Sequence, residues 1–224
     1  MKKIIILIVT IIFIVMLPSI VSLVVGPQGT ADYPEFTIED AVEASVMLQC
    51  ADPNGVQWHG SGTIISGSGI ILTARHILES ATSIVAITYS GEEIPVTDLF
   101  ISTTYDVGFC RLTKQPNIRP ASLARHAPYI LDEVRVVGTP IERKLLGTVT
   151  RGVVSCRYRK TDRGVFLQTD AGIYGGNSGG AVLNSKNKII GITVSWRAGT
   201  HFVFDVPLCH IRPEYRHYCE LWGK

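Results

Sequence analysis

The sequence predicts an all-β fold behind an apolar N-terminal segment. Short runs rich in Val and Ile recur along the chain, for example at 83–88, 134–137 and 189–194. Gly, Pro, Asn and Asp break these runs, the pattern of strands joined by turns. About 190 residues follow the apolar segment, enough for one globular domain without further partition.

Taken from the N-terminus, Lys2 and Lys3 precede a stretch, 4–25, that carries no charged residue and is long enough to cross a bilayer as a helix. Pro18 is tolerable in such a span. Sites for signal cleavage are weak, near Ser22 and Gly26, and Pro27 blocks the second. The expectation is an uncleaved membrane anchor at 1–26, with a cleaved signal sequence as the alternative. Lysines on the cytoplasmic side would leave the remaining chain outside the cytoplasm. Residues 27–43 form a lead-in whose first part, rich in Gly and Pro, reads as a linker.

The run 70–72 has the branched aliphatic composition of a buried strand and closes at Thr73, Ala74, Arg75 and His76. A second apolar run, 107–112, begins directly after Asp106. Farther on, Ser178 sits in Gly175-Gly176-Asn177-Ser178-Gly179-Gly180. So many glycines around one hydroxyl suggest a tightly shaped loop with an exposed nucleophile and free backbone N–H groups. A histidine after a strand is usually structural, an aspartate before one usually belongs to a turn, and a serine among glycines usually marks a bend. The order His76, Asp106, Ser178 is nevertheless that of one Ser-His-Asp triad.

With Lys2 and Lys3 set aside, Lys plus Arg equals Asp plus Glu at 19 each, so there is no basic field for nucleic acid. Cys50, Cys110, Cys156, Cys209 and Cys219 follow the anchor, where disulfides can persist. The odd count leaves one free or intermolecular; Cys209 and Cys219 are near enough in sequence to staple the tail, although spacing does not settle pairing. No zinc spacing occurs, even with His210 and His217 nearby, and no cofactor is expected. The tail, 209–224, is expected to form a short helix on the second half of the domain.

The ordered blocks resemble a trypsin-like serine protease of the HtrA type. Gly60-Ser61-Gly62-Thr63-Ile64-Ile65 leading to Ile71-Leu72-Thr73-Ala74-Arg75-His76 is similar to the family's first block. Asp106-Val107-Gly108-Phe109-Cys110-Arg111-Leu112 is similar to its second, and Thr169-Asp170-Ala171-Gly172-Ile173-Tyr174 with the Ser178 turn to its third. Val137-Gly138-Thr139-Pro140 and 149–155 resemble the strands that open the second barrel. The resemblance runs from about residue 44 to 207. It implies two six-stranded antiparallel β-barrels of the chymotrypsin-like kind, about 44–118 and 128–208, with the active site in the cleft between them.

The same resemblance implies a serine endopeptidase in which Ser178 attacks, His76 shuttles the proton and Asp106 orients the imidazole. The N–H groups of Gly176 and Ser178 would form the oxyanion hole. Asn177 stands where digestive relatives carry an acid, which argues against activation by a new N-terminus; the adjacent glycines suggest a loop mobile without substrate. Gly172, Ile173, Tyr174, Thr193, Ser195 and Trp196 are the substrate-binding candidates. None is charged, so small or medium apolar P1 residues are expected of protein or peptide substrates. Arg197 and His201 lie near that pocket and read first as solvated loop residues. Departures from the family pattern are Tyr174, Gly175, Gly108 and Cys110. No PDZ domain is expected after residue 208, and a homo-oligomer is possible. The roles implied are protein quality control or processing. The alternatives are a membrane-tethered pseudoprotease that binds peptides and an esterase-type hydrolase.

Overall fold

The computed structural model describes residues 34–196 and 199–222; the expected anchor, 4–25, and Arg197 lie outside them. No helix among the described residues is long and apolar enough to cross a membrane.

A six-residue helix, α1 (Ile38–Glu43), opens the described chain. Thr37 caps it: its hydroxyl accepts the Asp40 N–H while the Asp40 carboxylate accepts the Thr37 N–H. Six strands follow, β1 (Ser45–Ala51), β2 (Gln57–Ile64), β3 (Ile70–Thr73), β4 (Ser83–Thr88), β5 (Glu93–Ile101) and β6 (Gly108–Leu112). They close into an antiparallel barrel in the order β1-β2-β3-β6-β5-β4. One turn of helix, α2 (Arg75–Leu78), leaves the end of β3. The second barrel is β7 (Glu133–Gly138), β8 (Thr148–Thr161), β9 (Gly164–Thr169), β10 (Ala181–Leu183), β11 (Ile189–Trp196) and β12 (Val203–Pro207), closed in the order β10-β11-β12-β9-β8-β7. Closure leaves neither sheet with an edge strand.

Two apolar clusters explain how the cleft is held. One fills the second barrel, with Val136, Val154, Leu167, Ile190 and Val203 among its members. The other begins inside the first barrel, with Leu48, Ile71, Leu72 and Phe109, and continues onto Ala181, Ile192, Val194 and Val206 of the second. The facing surfaces of the barrels are therefore one core, so their relative placement is fixed by packing rather than by a linker.

Helix α3 (Leu208–Trp222) follows β12 directly. As expected, this helix packs on the second barrel, against β11 and β12 with Leu208 in the second core, and its aromatic face also reaches the first. Tyr218 is fully buried with its ring 5.4 Å from Phe109 and 6.3 Å from Phe100, and Tyr215 lies 5.5 Å from Phe109. An Arg111 guanidinium N–H donates to the Trp222 carbonyl at 2.9 Å, and Arg212 donates to the Ala124 carbonyl between the barrels. The same helix disposes of one disulfide reading. Ten residues at 1.5 Å each hold Cys209 and Cys219 about 15 Å apart, far beyond bridging distance. All five cysteines are free thiols. Cys50 and Cys110 are buried, and burial pushes the Cys50 thiol up to about 12 and the Cys110 thiol up as well.

Two departures from the family pattern are matters of packing. A Cβ on Gly108 would run into the Leu78 side chain from α2 at 2.8 Å, and Cys110 belongs to the first core. Gly108 thus lets α2 sit close against β6.

Candidate active site

His76 lies on α2, immediately beyond β3. The helix is anchored from two sides: Trp58 Nε1 donates to the Ile77 carbonyl at 2.9 Å, and Gly60 leaves the room that the Ile77 side chain occupies. Asp106 ends a short loop before β6. In that loop the Ser102 hydroxyl accepts the N–H groups of Thr104 and Tyr105 at 3.1 and 3.0 Å, and the Ser102 N–H bonds the Val107 carbonyl. The two residues meet twice. Asp106 Oδ1 accepts the His76 backbone N–H at 3.0 Å, and Oδ2 lies 2.8 Å from His76 Nδ1. Burial works against charge on Asp106, but hydrogen bonding and attraction to His76, with Arg75 beside it, outweigh burial and hold the carboxyl below its ordinary range. An ionised Asp106 bonded to Nδ1 leaves Nε2 as the proton-accepting nitrogen.

The Ser178 turn is seated on the first barrel although it belongs to the second. The Ser61 N–H donates to the Ser178 carbonyl at 2.7 Å. Gly179, at φ +87°, sits so close that a Cβ there would collide with the Ser61 carbonyl oxygen and the Thr73 hydroxyl, and would come within 2.9 Å of the Ala74 N–H. Ser178 is thereby brought beside the β3–α2 junction that carries His76. Its hydroxyl donates to the Val194 carbonyl at 3.4 Å. Among the described residues no hydrogen bond joins Ser178 to His76; catalytic pairs are often loose without substrate and tighten with it.

Four successive carbonyls of the turn, from Gly175 to Ser178, are tied down. Gly175 accepts the Ile141 N–H at 2.6 Å, Gly176 accepts the Ser61 hydroxyl at 2.8 Å, Asn177 accepts the Gly180 N–H at 2.8 Å, and Ser178 accepts the Ser61 N–H. The Asn177 N–H is used as well, on the Tyr174 carbonyl at 3.1 Å. The N–H groups of Gly176 and Ser178 donate to nothing among the described residues. They are the pair nominated for an oxyanion. The glycine-rich turn is thus pinned at four carbonyls. Gly176 has φ +94°, and a Cβ there would collide with His59 Nε2 and the Thr139 carbonyl.

Ser61 is the residue that sequence reasoning quoted without giving it a role. It is fully buried, and its hydroxyl accepts the Thr139 N–H at 2.7 Å while donating to Gly176. One side chain from β2 thus joins the first barrel to two loops of the second. Its position between two glycines was the only signal available.

The substrate-binding candidates separate. Gly172 and Tyr174 are exposed, with open space where a Gly172 side chain would stand, and Ser195 lies beside His76 in the cleft. Ile173 belongs to the second core, and Trp196 pairs with Val203 through its backbone. Thr193 is a correction: it is fully buried opposite Asp205 of β12, and cannot line an open pocket. Its backbone serves the site instead, since its carbonyl accepts the Gly179 N–H and its N–H donates to the Gly180 carbonyl. Asp205 is also fully buried, and accepts the Thr169 hydroxyl at 3.0 Å. Burial pushes its carboxyl up to about 7, against the opposing effect of hydrogen bonds from Thr169 and Thr193. His201 is exposed. Among the described residues no cluster of side chains is suited to a metal ion.

Comparison with known proteins falls on the same segments. The family model for the trypsin-like peptidase domain matches residues 60–192. The serine endoprotease DegS of Escherichia coli is 33% identical over 138 residues, covering 59% of this chain and 38% of its own length. The putative serine protease HhoA of Synechocystis is 33% identical over 159 residues, covering 66% and 40%. The crystal structure of the serine endoprotease from Yersinia pestis superposes with a TM-score of 0.70 at 28% identity, covering 82% of this chain and 65% of that one. The chain spans about two fifths of the length of the curated relatives it matches.

Proposed function

Because the chain belongs to the trypsin-like peptidase family, as a protease of the HtrA type, we propose that it is a serine endopeptidase acting on extracytoplasmic proteins through a Ser178 acyl-enzyme. The observation that carries this reading is the Ser178 turn, in which the four carbonyls from Gly175 to Ser178 are hydrogen-bonded while the Gly176 and Ser178 N–H groups have no partner among the described residues. Two such donors fixed in advance stabilise the oxyanion as it forms, at about 3 kcal/mol of barrier for each. In the first step the Ser178 hydroxyl leaves the Val194 carbonyl, gives its proton to His76 Nε2 and adds to the scissile carbonyl. His76 then protonates the leaving amine, and water repeats the sequence to free the acid. Asp106, with both oxygens on His76, keeps the imidazole in the tautomer that accepts at Nε2.

An extended peptide can pair with the 194–196 end of β11, which runs past its pairing with β10, and such recognition draws on main-chain hydrogen bonds and so tolerates many sequences. The open space beside uncharged Gly172 favours a small or medium apolar P1 side chain. An extracytoplasmic location is supported by the apolar run at 4–25 and its preceding lysines, and by a relative described as a probable periplasmic serine endoprotease of Chlamydia pneumoniae. A role in protein quality control or processing, and assembly as a homo-oligomer, belong to the same proposal.

The test is a fluorophosphonate probe and unfolded casein, applied to the purified chain and to Ser178→Ala. Labelling and cleavage confined to the unaltered chain support the endopeptidase reading. A folded chain that takes no label would support the pseudoprotease alternative, and turnover of esters without casein cleavage would support the esterase.

A further inference from the structure

A concavity of about 540 Å³ is lined in part by His76 and Asp106, and Gly172 is not among its lining residues. The rest of its lining includes Ser195 of β11, Arg75, the rings of Tyr105 and His210, stacked 4.0 Å between centroids, and Arg163 and Phe166 of the β8–β9 hairpin. The lining is cationic with donors to spare. No hydrogen bond or ion pair holds the Arg163 side chain among the described residues, and Arg75, which attracts Asp106 and approaches Glu79 at 4.0 Å, has its buried Nε unbonded. The one lining carboxylate, Asp106, is already committed to His76. Burial pushes the His210 imidazole below its ordinary range, so it adds an apolar, neutral ring rather than charge.

A peptide paired to β11 turns alternate side chains to opposite sides, with residues of one side about 6.6 Å apart. With P1 taken toward the open space at Gly172, P2 and P4 would fall on the other side, toward the groove that contains His76. We propose that this groove selects substrates with an acidic side chain at P2 or P4, its carboxylate paired to Arg163 and its stem laid on Phe166 and the Tyr105–His210 stack. The proposal rests on the endopeptidase reading and adds to it a substrate class. A fork of guanidinium donors meets a carboxylate in matched geometry.

The test uses quenched peptides of one sequence carrying Glu, Gln or Lys at P2, P3 or P4, with the full chain and with Arg163→Glu. Arg163 is exposed at a hairpin tip, so the substitution leaves the folded barrels intact. Glu at P2 or P4 is expected to raise kcat/KM about tenfold over Gln, mainly through KM, the size of one charge-assisted hydrogen bond. In Arg163→Glu the gain vanishes and Lys becomes the better residue; at P3 neither chain discriminates. The gain also shrinks at high salt. If the probe labels Ser178 and Gln peptides are cut while Glu brings no gain, or if Arg163→Glu keeps the gain, the groove proposal falls alone. If no label forms and no peptide is cut, the endopeptidase reading falls and takes the groove with it.

Discussion

Replacing Asp205 by Asn is expected to change how stability depends on pH, by an amount that follows from the burial of this one group. Asp205 is wholly enclosed in the second barrel and holds its proton to a pH of about 7, whereas its ordinary value is 3.8. The sign is that of a raised acid. Between about pH 4 and pH 7 the unfolded chain has lost the proton and the folded chain keeps it, so the native state is disfavoured by 1.36 kcal/mol per pH unit. Over roughly three units this group therefore removes about 4 kcal/mol of stability, with no further loss above pH 7. The Asn variant has no proton to hold and lacks this slope. Urea denaturation of both chains at intervals from acid to mildly alkaline pH isolates the effect, because every other titrating group cancels in the difference. The variant should gain on the wild type by up to about 4 kcal/mol as pH rises, then level off. Any fixed cost of the amide beside Thr169 shifts the whole curve without tilting it. A difference that stays constant with pH would refute the reasoning, for Asp205 would then titrate as an ordinary carboxylate.

Three further outcomes follow from the site and its supports. Ser61→Ala leaves the buried Thr139 N–H and the Gly176 carbonyl without their partner, worth about 1–3 kcal/mol each in desolvation; steady-state kinetics should show a kcat loss of ten- to a hundredfold with KM little changed. Asp106→Asn should lower kcat by about ten-thousandfold, since an amide favours the wrong imidazole tautomer, while fluorescence-monitored melting stays near wild type. Tyr218→Ala removes the largest fully buried side chain and should cost about 3–5 kcal/mol in urea denaturation.

Much of the fold was legible because its signals are local. The runs at 70–72 and 107–112 became β3 and β6, and turn residues at their ends placed His76 and Asp106 where the structure has them. What escaped depended on contacts between segments distant in sequence. Thr193 reads like any polar residue of a strand, and only pairing with β12 shows that it faces Asp205 inside a barrel. Ser61 reads as a small residue among glycines, and its purpose appears once Thr139 and Gly176 come to it from the other barrel. The tail's aromatic residues announced a helix but not its reach to the first barrel, because Phe100 and Phe109 lie a hundred residues earlier.

Helix α3 also braces the catalytic loop from outside it. It leaves β12 of the second barrel directly, yet its Tyr218 ring rests on Phe100 and Phe109 of the first. His210, in its first turns, stacks at 4.0 Å on Tyr105, the residue before Asp106. Loosening the helix would therefore uncover Phe109 and take away the ring on which the loop of the catalytic aspartate leans, so damage far from the nucleophile would reach the triad through Tyr105.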